Sequence, residues 1–129
     1  MAAGKGTRMK DPTRAKVMYE VNSKPLLHYV IELAYKLNAE KIIAVIGHQK
    51  ELVETYLKVS HPDVAYAVQE PQLGTGHAVL QAESHLINFE GNVLVLSGDV
   101  PLLTVETMNG LIEHHHKTGA VATILTADL

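Results

Sequence analysis

Four short apolar runs rich in β-branched residues recur along the chain, and helical patterns fill the gaps between them. The runs are IIAVIG (residues 42–47), VAYAV (64–68), VLVLSGD (93–99) and VATIL (121–125). The first and third are apolar on both faces, as strands covered on both sides must be. Residues 25–37 set Leu26, Leu27, Val30, Ile31, Ala34 and Leu37 on one helical stripe, and Pro25 suits a first turn. Further helices are predicted over about 49–58, 77–87 and 105–117, the last with Thr104 as N-cap and Gly119 past its end. Such alternation predicts an α/β fold with a mainly parallel sheet. Ala2 and Ala3 read as the tail of a first strand, and VATILTADL stops where a further element should follow. The chain is therefore expected to be a piece of a longer protein.

At 129 residues the chain is the size of one domain. It has no cysteine, which excludes disulfides and thiolate metal sites. No apolar run approaches the roughly 20 residues of a membrane span, and the opening lacks the apolar stretch of a signal peptide. A cytoplasmic location is expected. The net charge of -3 argues against a general nucleic-acid binder. Yet residues 1–16 carry five basic side chains against one acidic, while the remainder carries six against thirteen. A basic segment on an acidic body points to a small anionic ligand held at one place.

Three stretches fall at predicted strand ends, where the loops of an open α/β sheet converge on ligands. The first, MAAGKGTRM, fits neither Walker A nor the dinucleotide fingerprint. Gly4 and Gly6 nevertheless let backbone N–H groups approach phosphate oxygens, with Lys5, Arg8 and Lys16 as countercharges. The second, QEPQLGTGHA, opens with Gln69, whose amide offers a donor beside an acceptor and so suits a uracil edge. Gly74, Thr75 and Gly76 form a turn into the next helix. In the third, SGDVP, Asp99 ends an apolar strand and is a candidate magnesium ligand. His114, His115 and His116 are expected to be solvated near a helix end. His28, His48, His61, His77 and His85 have no spacing that implies a zinc site. No nucleophile–histidine–carboxylate set is evident either.

Together AAGKGTRM, the lysine of RAKVMYEVNSKPLL, QLGTGHA and SGDVPLL resemble the nucleotidyltransferases that make nucleotide sugars. QEPQLGTGHAVLQA is most similar to the uridylyltransferase half of the bacterial bifunctional N-acetylglucosamine-1-phosphate uridylyltransferase/glucosamine-1-phosphate acetyltransferases. The resemblance runs across the whole chain. It implies a Rossmann-like, mainly parallel sheet with helices on both faces. Residues 1–129 would form the nucleotide-binding part of a nucleotidyltransferase domain. Ala2, Ala3, Gly4 and Gly6 would form the nucleotide loop, and Arg8 and Lys16 would be the catalytic cations on the phosphates. Gln69, Gly74 and Thr75 would recognise uracil, and Asp99 would bind Mg2+. Ala15 stands where the family usually has proline, and Ser23-Lys24-Pro25 where it often has Gly-Lys-Pro.

The resemblance also implies that the sugar pocket, a second metal ligand and an acetyltransferase β-helix that makes homotrimers lie beyond residue 129. The implied substrates are UTP and N-acetylglucosamine 1-phosphate, with no nucleic acid and no membrane span. Two alternatives remain: another sugar-1-phosphate nucleotidyltransferase of thymidylyl or hexose type, and a non-catalytic nucleotide-binding regulatory module.

Overall fold

The computed structural model describes residues 1–4 and 15–127. A 3-10 turn, Lys16–Met18, leads into a small antiparallel ribbon of β1 (Glu20–Val21) and β2 (Lys24–Pro25). Helix α1 (Leu26–Lys36) follows directly, so Pro25 stands just before the first turn, where its missing N–H costs nothing. Strand β3 (Ile43–Ile46), helix α2 (Lys50–Ser60) and strand β4 (Ala65–Val68) then make a right-sized βαβ unit. β3 and β4 pair in parallel, with Ile43 opposite Ala65 and Ile46 opposite Val68. Helix α3 (Thr75–Leu80) and helix α4 (Val105–Thr118) complete the regular elements, with a short 3-10 turn, Glu83–His85, between them.

The side-chain alternation of β3 organises the core. Ala44 and Ile46 face α1 and α2, whose Leu27, Ile31, Val53 and Leu57 pack with Val17 and Met18 in one buried cluster. Val45 faces the other way and packs with Ala3 and with Ala78 of α3. Helices therefore cover both faces of the short sheet. Val53 and Leu57, one turn apart on α2, are 0% and 1% exposed, which fixes the face that α2 presents.

Ala2, expected with Ala3 in the tail of a first strand, lies beside β3. Ala2 bridges Ile46 in parallel, and its N–H donates to the Val45 carbonyl at 2.7 Å. On the other side, the Met1 amine donates to the Leu96 carbonyl at 2.6 Å, and Gly98 N–H donates to the Met1 carbonyl at 2.8 Å. Bonding to residues two apart is the parallel pattern.

Two expected strands are corrected. Neither 93–99 nor 121–125 forms a regular strand, and Val93, Leu94, Val95, Val121 and Ile124 are exposed. Their composition supplies strand propensity, but a strand needs a neighbour. Among the described residues, the backbone of the 93–99 run pairs across only to Met1, at Leu96 and Gly98. The third predicted helix is also shorter, because α3 ends at Leu80 and the chain tightens into the 3-10 turn.

The final helix matches its expected signals. Thr104 Oγ1 accepts from the Thr107 N–H at 3.2 Å, and Gly119 ends the helix at φ 60°. Of the three histidines expected to be solvated, His114 and His116 are exposed, whereas His115 is half-buried with its Nδ1 2.9 Å from Thr123 Oγ1.

Candidate nucleotide site

An open cleft of about 640 Å³ lies at the carboxyl ends of residues 1–2, β4 and the 93–98 run. It gathers most of the residues singled out in the sequence: Ala2, Ala3, Gly4, Lys16, Gln69, Gly74, Thr75 and Asp99 all line it. Gly6 and Arg8, with Lys5, lie outside the described residues. Met1, Val17, Gln72, Ala78 and Ser97 also line the cleft and had not been singled out. Gln72 sits inside the quoted QEPQLGTGHA stretch. Ser97 opens the quoted SGDVP stretch, and its carbonyl accepts from Val100 N–H in the turn that carries Asp99.

Local packing aims the two charged groups. Ala15, Val17 and Met18 are buried around Lys16, so the backbone is anchored and only the lysine stem reaches out. Asp99 is placed by Gly98. A Cβ there would lie 2.8 Å from the Met1 carbonyl oxygen and 3.1 Å from Val17 Cγ1, so any larger residue would push the segment away. The result is an ion pair in which Lys16 Nζ donates to Asp99 Oδ2 at 2.5 Å. Burial pushes the neighbouring Met1 amine below its ordinary value, and the Asp99 charge partly opposes that.

Gln69 is 2% exposed, and its neighbours decide which way its amide faces. Gly74, at φ 103°, turns its carbonyl back so that Gln69 Nε2 donates to it at 2.9 Å. A carbonyl can only accept, so the NH₂ group must face Gly74. The same nitrogen lies 3.1 Å from His77 Nδ1, and Gln81 Nε2 lies 3.2 Å from His77 Nε2. A neutral imidazole has one acceptor nitrogen, so it receives from one amide at a time. In either tautomer Gln69 Oε1 is left over, with no hydrogen bond among the described residues. The side-by-side donor and acceptor expected of Gln69 is corrected accordingly: it has an acceptor to offer. His77 and Gln81 are its buttress, the first lying within the quoted motif and the second one helical turn further on.

Among the described residues Asp99 is the one carboxylate lining the cleft. That suits a hard divalent ion which takes one or two carboxylates and keeps waters or phosphate oxygens as its other ligands.

Loops at strand carboxyl ends opening onto a single cleft are the architecture of nucleotide-binding α/β domains. The chain belongs to the MobA-like NTP transferase domain family, which matches residues 1–128. It is 50% identical over 127 residues to the bifunctional protein GlmU of Geobacillus thermodenitrificans, a match covering 98% of this chain and 27% of that protein. Identity is 47% over 128 residues to the bifunctional protein GlmU of Bacillus cereus, with the same two shares. Against that of Anaeromyxobacter sp. (strain K) it is 44% over 131 residues, covering 100% of this chain and 27% of the relative. The chain thus spans about a quarter of the length of the curated relatives it matches. Among the described residues no helix is long and apolar enough to cross a membrane.

Proposed function

We propose that this chain is the UTP-binding half-site of an enzyme that transfers a uridylyl group to N-acetylglucosamine 1-phosphate, giving UDP-N-acetylglucosamine and pyrophosphate. The observation that carries the reading is the meeting of Gln69, with its carbonyl to spare, and the Lys16–Asp99 pair in one cleft. Gln69 Oε1 accepts from uracil N3–H, and Gly74 and Thr75 line the base. Cytosine presents a lone pair at N3 and is refused. Ala2, Ala3, Gly4 and Gly6 form the loop against the phosphates.

The attacking oxygen of a sugar 1-phosphate is already anionic at neutral pH, so no general base is required. The obstacle is repulsion between two anions, and positioned cations offset it. Lys16 and Arg8 are the catalytic cations of this reading. Lys16 leaves Asp99 and turns to the phosphates as the nucleotide enters. Mg2+, held by Asp99 when bound, supplies further positive charge to the triphosphate.

The family's finer architecture is part of the proposal. The order 93–98, 1–2, β3, β4 is the nucleus of a larger, mainly parallel Rossmann-like sheet. Sugar-binding residues, an acetyltransferase domain, a homotrimer and a cytoplasmic location follow from the same reading.

The test is to place residues 1–129 in the Geobacillus relative in place of its matching segment. Pyrophosphate release from UTP, magnesium and N-acetylglucosamine 1-phosphate is then followed on the folded chimera. Turnover that falls about 10²–10³-fold in Lys16→Ala with little change in KM is expected. A folded chimera that binds UTP without releasing pyrophosphate would contradict the reading, as would one that prefers thymidine triphosphate.

A further inference from the structure

A second cluster of metal-ligating side chains lies away from the cleft, between α1 and the end of α2. His28 sits in the first turn of α1 and Glu32 one turn later, so both face the same side of the helix. His61 caps the end of α2 and is 4% exposed. One ligand atom from each of the three lies within 4.8 Å of the others. None of the three lines the nucleotide cleft.

The distances suit an ion. His28 Nδ1 and His61 Nε2 face each other at 3.3 Å. Two nitrogens held by one tetrahedral ion, each at about 2.0–2.1 Å, lie about 3.3–3.4 Å apart. A simple hydrogen bond between the rings would account for that distance but leaves two features over. The Tyr56 hydroxyl also lies 3.3 Å from His61 Nε2, so one ring nitrogen faces two groups. Glu32, meanwhile, makes no hydrogen bond among the described residues although it adjoins both rings. The rings of Tyr35 and Tyr56 stand 5.9 Å and 5.7 Å from His61 and wall the site. Burial, first of all, pushes both imidazoles below their ordinary range. Lys24 adds to this at His28, and the His28 charge adds to it at His61, while Glu32 opposes it at both. Neutral rings keep the lone pairs that a metal needs.

We propose that His28, Glu32 and His61 bind one divalent ion of the zinc type through two imidazole nitrogens and one carboxylate oxygen, clasping the start of α1 to the end of α2. A fourth position is left to water. Nitrogen donors favour such an ion over magnesium, so this site and the nucleotide's metal do not compete. Sequence spacing hid the site because His61 lies 33 residues from His28. The His28–Glu32 spacing is the one local sign.

The test uses the whole 129-residue chain, stripped of metal, with His114→Asn, His115→Asn and His116→Asn removing the exposed histidine tract. Cobalt(II) is titrated in and its visible absorption recorded, then zinc is added in competition, and thermal unfolding is followed with and without zinc. The expected result is one equivalent of cobalt with intense tetrahedral bands, displaced by zinc, and a rise in Tm with zinc. Glu32→Gln and His28→Gln should each weaken binding at least about tenfold and abolish the Tm rise. Both substitutions fall on half-buried positions and spare the buried His61. Weak octahedral bands alone, or an affinity unchanged by both substitutions, would overturn the proposal and leave the rings as a hydrogen-bonded pair.

Discussion

Replacing Asp99 by asparagine separates its two roles. As a structural partner it contributes little. The Lys16–Asp99 contact is 2.5 Å long, but the side chains are 41% and 30% exposed. At that exposure an ion pair is worth about 0.2–1 kcal/mol. For a domain of this size the corresponding drop in Tm is at most about 4 °C. As a metal ligand it should control nucleotide binding with a sign that depends on magnesium. Without the ion, the carboxylate repels the triphosphate and occupies Lys16. One unit charge at ~5 Å in a water-like medium contributes about 1 kcal/mol, or roughly fivefold in Kd. Asp99→Asn should therefore bind metal-free UTP about fivefold more tightly than the wild type. With saturating magnesium it should bind at least about tenfold more weakly. Calorimetric titration of UTP in EDTA and then in magnesium, on the same two proteins, reads both signs. An unchanged magnesium effect, with a Tm drop beyond about 8 °C, would make Asp99 a structural residue and refute the argument.

Two further outcomes follow from packing and ionisation. Gly98→Ala places a methyl group against the Met1 carbonyl and Val17. It should cost about 1–3 kcal/mol in urea unfolding, and an unchanged midpoint would mean that the 93–98 segment has room to shift. Tyr35 donates to Asp63 Oδ1 at 2.7 Å; burial first, and then that bond and charge, push its pKa up to about 12. An unfolded tyrosine ionises near pH ~10. Between those values the folded state holds a proton that the unfolded state has lost. The contribution is thus complete below pH ~10 and is lost as pH rises toward 12. Tm should fall more steeply between pH ~9.5 and ~11.5 in the wild type than in Tyr35→Phe, and parallel slopes would contradict this.

The elements most legible in the sequence are those whose signals are local. The Thr104 cap, the Gly119 stop and the apolar stripe of α1 each act within a few residues, and α1 and α4 form within a residue of their expected bounds. β3 and β4 were also legible, because their apolar runs have each other to pair with. The 93–99 and 121–125 runs look the same in sequence, yet among the described residues they pair across at only two backbone positions or not at all, since pairing depends on a neighbour that composition does not supply. The site divides in the same way. Residue types and loop positions pointed to Gln69, Lys16 and Asp99. Which atom Gln69 has to offer depends on Gly74 turning its carbonyl back and on His77 standing behind, and the Lys16–Asp99 pairing spans 83 residues. The His28–Glu32–His61 cluster is likewise a product of packing α1 against α2.

The central claim is that this cleft reads uridine triphosphate, and competitive calorimetry on the 129-residue chain tests it most directly. UTP and CTP are titrated in magnesium against the wild type and Gln69→Leu. One site is predicted, with UTP favoured over CTP by about 10-fold to 100-fold, since an unmatched acceptor in a buried setting costs about 1–3 kcal/mol. Gln69→Leu should erase most of that preference while leaving the triphosphate contacts at Lys16 in place. Equal binding of UTP and CTP by the wild type, or a preference that survives Gln69→Leu, would contradict the account.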